Sequence, residues 1–232
     1  VPELPQSPQL PQAPAMPRMP GSTGPKVTPV DDAPTPEALW AKFIDAIGGE
    51  EAIQRSGSRR TKGGFEVPMA QIKGSMETIS KAPDLMVMTI DLGPAGVTRQ
   101  GFDGTYGWTV DQAMGERLLE GEELDDLRRS GDITGSADFV KRASKATTLG
   151  KADFRGRETW VVELEGLFTN PATFYLDSND GLIRGLRMTS KTAMGSIPVE
   201  IEVTDYKPFG KELIATRNIS RLMGMEVIMT TD

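Results

Sequence analysis

The chain has 232 residues, with 26 Lys and Arg against 33 Asp and Glu for a net charge of −7, 6% aromatic residues, and neither Cys nor His. Without Cys and His there are no Cys/His zinc sites, no His-ligated haem, no Cys–His dyads and no Ser-His-Asp triads. An acid excess with no basic stripe argues against a nucleic-acid partner, and apolar runs as short as Leu85 to Met88 leave no candidate transmembrane segment.

Residues 1–35 read as an extended proline-rich tail. Eleven of the seventeen prolines lie in the first 36 positions, and Pro2, Pro5, Pro8, Pro11, Pro14, Pro17 and Pro20 recur every third residue. That period matches polyproline II, which would align the rings on one edge and put Leu4, Leu10, Met16 and Met19 on the others. A stiff strand of this kind is a spacer or a docking strip, and Pro5, Pro8, Leu10, Pro11, Pro14, Met16, Pro17, Met19 and Pro20 are its candidate partner-binding residues. The chain begins at Val1 rather than Met, which suggests an exported, periplasmic protein whose signal peptide has been removed.

Residues 36–232 read as a single domain. Thr35 is placed to cap a helix with Pro36 at its first position, and Leu39, Trp40, Phe43, Ile44 and Ile47 follow at helical spacing until Gly48 and Gly49. The period then changes to two, with strands expected near 58–67, 70–81, 84–92, 96–102 and 106–111. Leu85, Met86, Val87, Met88 and Ile90 leave neither face of the third strand polar, so both faces are expected to be covered. In GFDGTYGWTVD, a turn on Asp103-Gly104 is expected to bring Phe102 and Trp108 to one face.

A helical insertion is expected over about 116–144 in two pieces. The first directs Leu118, Leu119, Leu124 and Leu127 inward and its carboxylates outward, and the second is capped by Ser136 ahead of Phe139 and Val140. A β meander follows, with strands near 145–154, 158–165, 172–177, 182–192, 197–206, 211–219 and 224–230. In the fifth of these, Val199, Ile201 and Val203 alternate with Glu200, Glu202 and Thr204, so one face of the sheet is wet. Asp177 to Gly181 is a hairpin turn rather than a calcium loop, since Gly181 falls where a ligand is needed and no Glu closes the loop.

In this order, DAIGGEEAIQ, KGGFEVP, GSMETISKAPDLMV, GFDGTYGW, ELDDLRRSGD, FRGRETWVVEL and TFYLDSNDGLIRGLRM resemble the LolA/LolB-like superfamily of outer-membrane lipoprotein-sorting-like domains, over roughly Glu37 to Thr231. The resemblance implies a mainly β (α+β) fold: a curved antiparallel sheet or half-barrel of about 11 strands, covered by about 3 helices and enclosing an apolar cavity. The chain departs from that pattern in being poor in aromatics, carrying twelve Met instead, and in its proline-rich tail.

Glycine-rich nucleotide loops and nucleophile elbows are missing from the sequence, so neither an enzyme nor a cofactor is expected. Asp103, Asp111, Glu163 and Glu165 are the carboxylates available for acid–base chemistry. Two functions remain open. One is a non-catalytic accessory subunit docked through the tail and body on protein subunits of a respiratory, photosynthetic or secretion complex. The other is a carrier or sensor of lipid, lipoprotein or another hydrophobic ligand, with Met86, Met88, Phe102, Trp108, Phe139 and Trp160 as cavity candidates.

Overall fold

The computed structural model describes residues 24–232 apart from 56, 113–114, 169 and 193–194. The proline series, Leu10, Met16 and Met19 therefore lie outside the described residues. Four helices accompany the sheet: α1 (Pro36–Ala46), α2 (Glu50–Arg55), α3 (Gly121–Gly131) and α4 (Phe139–Arg142). The first half of the sheet is β1 (Ser58–Val67), β2 (Ile72–Lys81), β3 (Leu85–Asp91), β4 (Val97–Phe102), β5 (Gly107–Asp111) and β6 (Gly115–Leu119). The second half is β7 (Lys145–Phe154), β8 (Arg157–Glu165), β9 (Ala172–Asp177), β10 (Ile183–Thr192), β11 (Gly195–Phe209), β12 (Glu212–Leu222) and β13 (Met225–Thr230).

All thirteen strands join one antiparallel sheet, in the order β6-β5-β4-β3-β2-β1-β13-β12-β11-β10-β9-β8-β7. Within each half every strand pairs with its neighbour in sequence, and β1 pairs with β13 to join the halves. The two edges, β6 and β7, are linked by the segment bearing α3 and α4. α3 touches β3, β4 and β5 and also reaches β10, so the sheet curls around it and the helix-bearing face is the concave one.

Thr35 caps α1 by accepting a hydrogen bond from the Ala38 amide at 3.3 Å, with Pro36 opening the first turn as its fixed φ favours. Leu39, Trp40, Phe43 and Ile44 bury their side chains with Val162, Leu164, Phe174 and Leu176 of β8 and β9 in the main core. The Trp40 ring meets Phe174 edge to face at 5.2 Å, and its indole N–H donates to the Ser136 carbonyl at 2.8 Å.

Several expectations are corrected. The sheet has thirteen strands, where the resemblance implied about 11 and the alternation gives twelve; the one the alternation misses is Gly115–Leu119, at the start of the expected insertion. Gly121, at φ +56, sits in the left-handed region where helix α3 begins. Leu118 consequently points outward and is 58% exposed, while Leu119 is buried. Among the described residues the α-helices number four rather than about 3, since GGEEAIQ supplies α2. Ser136 caps nothing; it lies in the 3-10 turn Gly135–Asp138, and Asp138 precedes α4. β3 is covered on one face only, with Met86 buried and Val87 42% exposed.

The body starts earlier than residue 36. Thr28 exchanges both backbone hydrogen bonds with Lys151 of β7, at 2.7 and 2.9 Å, and the Thr148 hydroxyl donates to the Pro34 carbonyl at 2.8 Å. On the convex face Val27 packs against a second small core of Ala152, Phe154, Val161 and Tyr175, with Phe154 and Tyr175 stacked at 4.5 Å. Gly185 lies beneath the Phe154 ring, and a Cβ there would come within 2.2 Å of it.

The β9–β10 turn confirms the hairpin expected at Asp177 to Gly181. Asp177 is almost fully buried, and its carboxylate accepts hydrogen bonds from Arg184 Nε at 3.1 Å, Arg157 at 3.3 Å and the Asn179 amide at 3.0 Å. Burial alone would raise its pKa, but the Asn179 N–H and the Arg184 guanidinium outweigh it and hold the group below its ordinary 3.8. A depressed folded-state pKa contributes stability that is present above the unfolded value and lost as pH falls through the folded one. Acid titration by circular dichroism should therefore show stability falling below about pH 3.8, and Asp177→Asn should flatten that dependence while costing about 3 kcal/mol in urea unfolding at pH 7.

Candidate functional site

Cross-strand register separates the concave from the convex residues. On the concave side at the first edge, Met86 and Phe102 sit beneath α3 with Leu119 and Leu127, and Met88 and Leu124 pack beside them. Phe139 and Trp160 are concave too, but they belong to the main core at the other half of the sheet. The six cavity candidates therefore split between two separate clusters, and one of them leaves the concave face altogether.

That residue is Trp108. The turn between β4 and β5 holds four residues, 103–106, with the Asp103 carboxylate accepting from the Thr105 and Tyr106 amides at 2.8 Å each. The hydrogen bonds from Tyr106 and Thr105 hold the Asp103 pKa below its ordinary value. With this turn Phe102 pairs with Gly107, and Trp108 pairs with Gly101. A spacing of six is thus out of phase with the pairing, and the two rings lie on opposite faces. The Trp108 indole lies over Gly101, where a Cβ would come within 2.7 Å of the ring.

Between the two helix-covered ends, the concave face of the central strands is only partly covered. Phe65 pairs with Met229 and Met229 with Asn218, followed by Val203; Met76 pairs with Ile90 on the same face. These apolar side chains, with Val227 and Ile201, are half-buried and belong to none of the core clusters. Sequence reasoning recognised the alternation of Ile201 and Val203, but not that β1, β2 and β13 would align their apolar faces with it across the closure. The signal was available in the period-two pattern, but the β1–β13 pairing that brings these residues together joins positions more than 160 apart.

Polar groups also lie in this floor. Thr216 is 3% exposed and Ser220 is 8% exposed, and the buried Thr216 Oγ1 and Asn218 Oδ1 atoms have no hydrogen-bond partner among the described residues. Unpaired buried oxygens of this kind ordinarily hold a water or a ligand donor.

α3 is the wall at one side of this trough. It is tethered by charge as well as by its leucines: Arg117 of β6 donates to Glu123 at 2.6 Å, Arg128 pairs with Asp84 at 2.8 Å, and the Arg128 guanidinium lies 5.1 Å over the Phe102 ring. The Glu123 carboxylate holds the Arg117 pKa above its ordinary value. Beneath α3 a polar cavity of about 220 Å³ is lined by Gln100, Thr109, Arg117 and, from the far side, Ser190. Others of about 290 and 230 Å³ lie at Arg59–Glu212 and between α1 and α4. Ligand cavities for whole lipid-sized molecules begin near 300 Å³, so a long chain needs the open trough or a displaced α3.

The carboxylates considered for acid–base work stand apart: Asp103 and Asp111 adjoin β5, while Glu163 and Glu165 are on β8 near the opposite edge. Among the described residues no three acidic side chains form a metal-binding group. No helix among them is long and apolar enough to cross a membrane.

No protein-family profile matches the chain, and no curated protein matches it in sequence. In architecture it is similar to an outer membrane lipoprotein-sorting protein domain from Vibrio parahaemolyticus, with a TM-score of 0.53 and 11% identity over 84% of this chain and 89% of that one. It is similar also to a DUF1329 family protein from Desulfovibrio piger, at 0.56 and 9% over 86% and 92%. A LolA superfamily protein from Nitrosomonas europaea matches at 0.52 and 12% over 86% and 92%. These likenesses establish the fold implied by the sequence resemblance: a LolA-like, mainly antiparallel, open curved sheet with helices on one face.

Leu127 is the buried leucine of α3, 5% exposed, in the cluster with Met86, Phe102 and Leu119. Leu127→Ala should destabilise the docking of α3 by about 2–5 kcal/mol. Hydrogen exchange would then be faster in 121–131 than in the wild type, while protection in β8 and β9 stays unchanged.

Proposed function

We propose that the protein is a non-catalytic carrier that binds a hydrophobic chain, from a lipid or a lipid-modified protein, along the concave face of its central strands. The observation that carries this reading is the uncovered apolar floor of Phe65, Met76, Ile90, Ile201, Val227 and Met229, sandwiched between two ends that helices do cover. Methionine suits such a surface because its unbranched, polarisable side chain adapts to chains of different shape. Each CH₂ moved from water into the trough contributes about 0.8 kcal/mol, and the reading needs no reacting group. α3 yields to the ligand: its seat on the sheet is a small cluster, and its charged tethers are partly exposed and weak. The polar oxygens of Thr216 and Asn218 would accept from a head group or its bound water.

The likeness to a lipoprotein-sorting domain supports this assignment, and with it a site of action in the cell envelope, in the periplasm. A second reading, an accessory subunit docked on a membrane or envelope complex through Pro5 to Pro20, is favoured by one feature. Gly24 is set against Arg187 and Tyr175, so a partner holding the tail would be anchored directly to the folded body.

A fluorescent long-chain fatty acid should bind with one-to-one stoichiometry. Met229→Asp should weaken it by about tenfold or more, corresponding to about 1.4 kcal/mol, whereas Ile79→Asp on the convex face should leave it unchanged. Absence of binding, or equal losses in both variants, would overturn the carrier assignment.

A further inference from the structure

One cross-strand row on the concave face breaks its apolar pattern. Met88 pairs with Gln100, Gln100 with Thr109 and Thr109 with Arg117, so the row turns polar between β3 and β4 and stays polar to the β6 edge. The row beside it, with Met86, Phe102 and Leu119, is the apolar seat of α3. Over the polar row α3 sets Glu123, Asp126 and Ser130, which recur at helical spacing and so share one side of the helix. Between row and helix lies the cavity of about 220 Å³, which Ser190 of β10 lines from the far side. A helix held by packing alone would meet apolar side chains here, because buried polar groups cost stability unless they are hydrogen-bonded.

The lining is rich in hydrogen-bonding groups but balanced in charge. Arg117 pairs with Glu123 at 2.6 Å, and Arg129 pairs with Asp126. A carboxylate entering the cavity would stand beside two carboxylates whose basic partners are already engaged, and an ammonium group would have to displace a guanidinium. An uncharged hydroxyl meets neither obstacle, since it both donates and accepts. The Arg117 Nε–H is buried with no partner among the described residues, and a hydroxyl oxygen is the acceptor it lacks. The Ser130 hydroxyl donates to the Asp126 carbonyl at 2.9 Å and keeps its lone pairs to accept. The Gln100 amide and the Ser190 hydroxyl can serve either way.

We propose that this cavity is the head-group subsite of the carrier and takes an uncharged, hydroxyl-bearing head group, such as the glyceryl group of a monoacylglycerol. The inference rests on the carrier reading and adds to it the class of head group. At about 30 Å³ per water molecule, the cavity of about 220 Å³ has room for roughly seven waters, enough for a glyceryl group and too little for a long chain. The chain has a path out. The Gln100 amide lies 3.6 Å from the Met88 sulfur, and Ile90, two residues along β3 on the same face, pairs with Met76 in the floor of the trough. The hydrocarbon therefore leaves the polar row at Met88 and enters the trough at Ile90. Thr216 and Asn218 stand elsewhere in the floor, on β12, and hold water in this arrangement.

Displacement of a fluorescent long-chain fatty acid from the full chain measures the preference. At neutral pH monooleoylglycerol should displace the probe at about tenfold lower concentration than oleate, and oleylamine should do no better than oleate. Ser190→Ala combined with Gln100→Leu should reduce the preference to about twofold or less while oleate affinity holds. A ratio taken within one variant is insensitive to a general loosening of α3. Equal displacement by all three ligands, tighter binding of either charged one, or a preference that survives the double variant would overturn the subsite and leave the carrier reading standing. A preference lost in Thr216→Val, but kept in the double variant, would put the head group on β12 and refute the proposal. If the fatty-acid probe and monooleoylglycerol both fail to bind, the carrier reading and the subsite fall together.

Discussion

The architecture depends on one connection. Every other link between consecutive strands is a local turn, but the segment from Leu119 to Lys145 has to join the two outermost strands of a thirteen-stranded sheet. Laid flat, those edges would stand roughly 58 Å apart at about 4.8 Å per strand. The connecting residues, with α3, a 3-10 turn and α4 among them, reach only about 50 Å even end to end. The sheet must curl, and the connection must cross its concave face.

From that constraint the division of the concave face follows. α3 lands near the β6 edge and seats its leucines on Met86 and Phe102, while α4 lands near β7 and joins the core that α1 builds with Trp40. The helices cover the ends, and the central strands keep a half-open apolar floor between them. A carrier needs such a compromise, because a floor fully packed by protein would leave no surface for a ligand and a fully open one would aggregate. On the convex side the problem is met differently. There the chain uses an extended segment to bury Phe154, Val161 and Tyr175 at one half.

Much of the fold was legible because it is local. Twelve strands follow from period-two alternation and turn residues, and α1 follows from Thr35, Pro36 and its apolar stripe. β6 escaped because GERLLEGEEL satisfies a helical pattern as well as a strand, and only pairing with β5 decides between them. Trp108 was misplaced for a finer reason: the length of the turn sets the phase of the pairing, and Asp103 holds a four-residue loop that puts Trp108 opposite Gly101. The reading of β3 as doubly covered failed because an exposed Val87 and a buried one look alike in sequence. The trough was the least legible feature, since Phe65 and Met229 become neighbours only when β1 and β13 close the sheet.

Methionine methyl groups report most directly on the central claim, that a hydrophobic chain lies in the trough. They are distributed over the molecule, with Met76, Met88 and Met229 on the concave face and Met69 and Met223 exposed away from it. In a methyl NMR titration of the full chain with a long-chain fatty acid, the account predicts saturable shifts at Met76, Met88 and Met229, with Met69 and Met223 unmoved. Shifts confined to Met69 and Met223, or none at all, would contradict it.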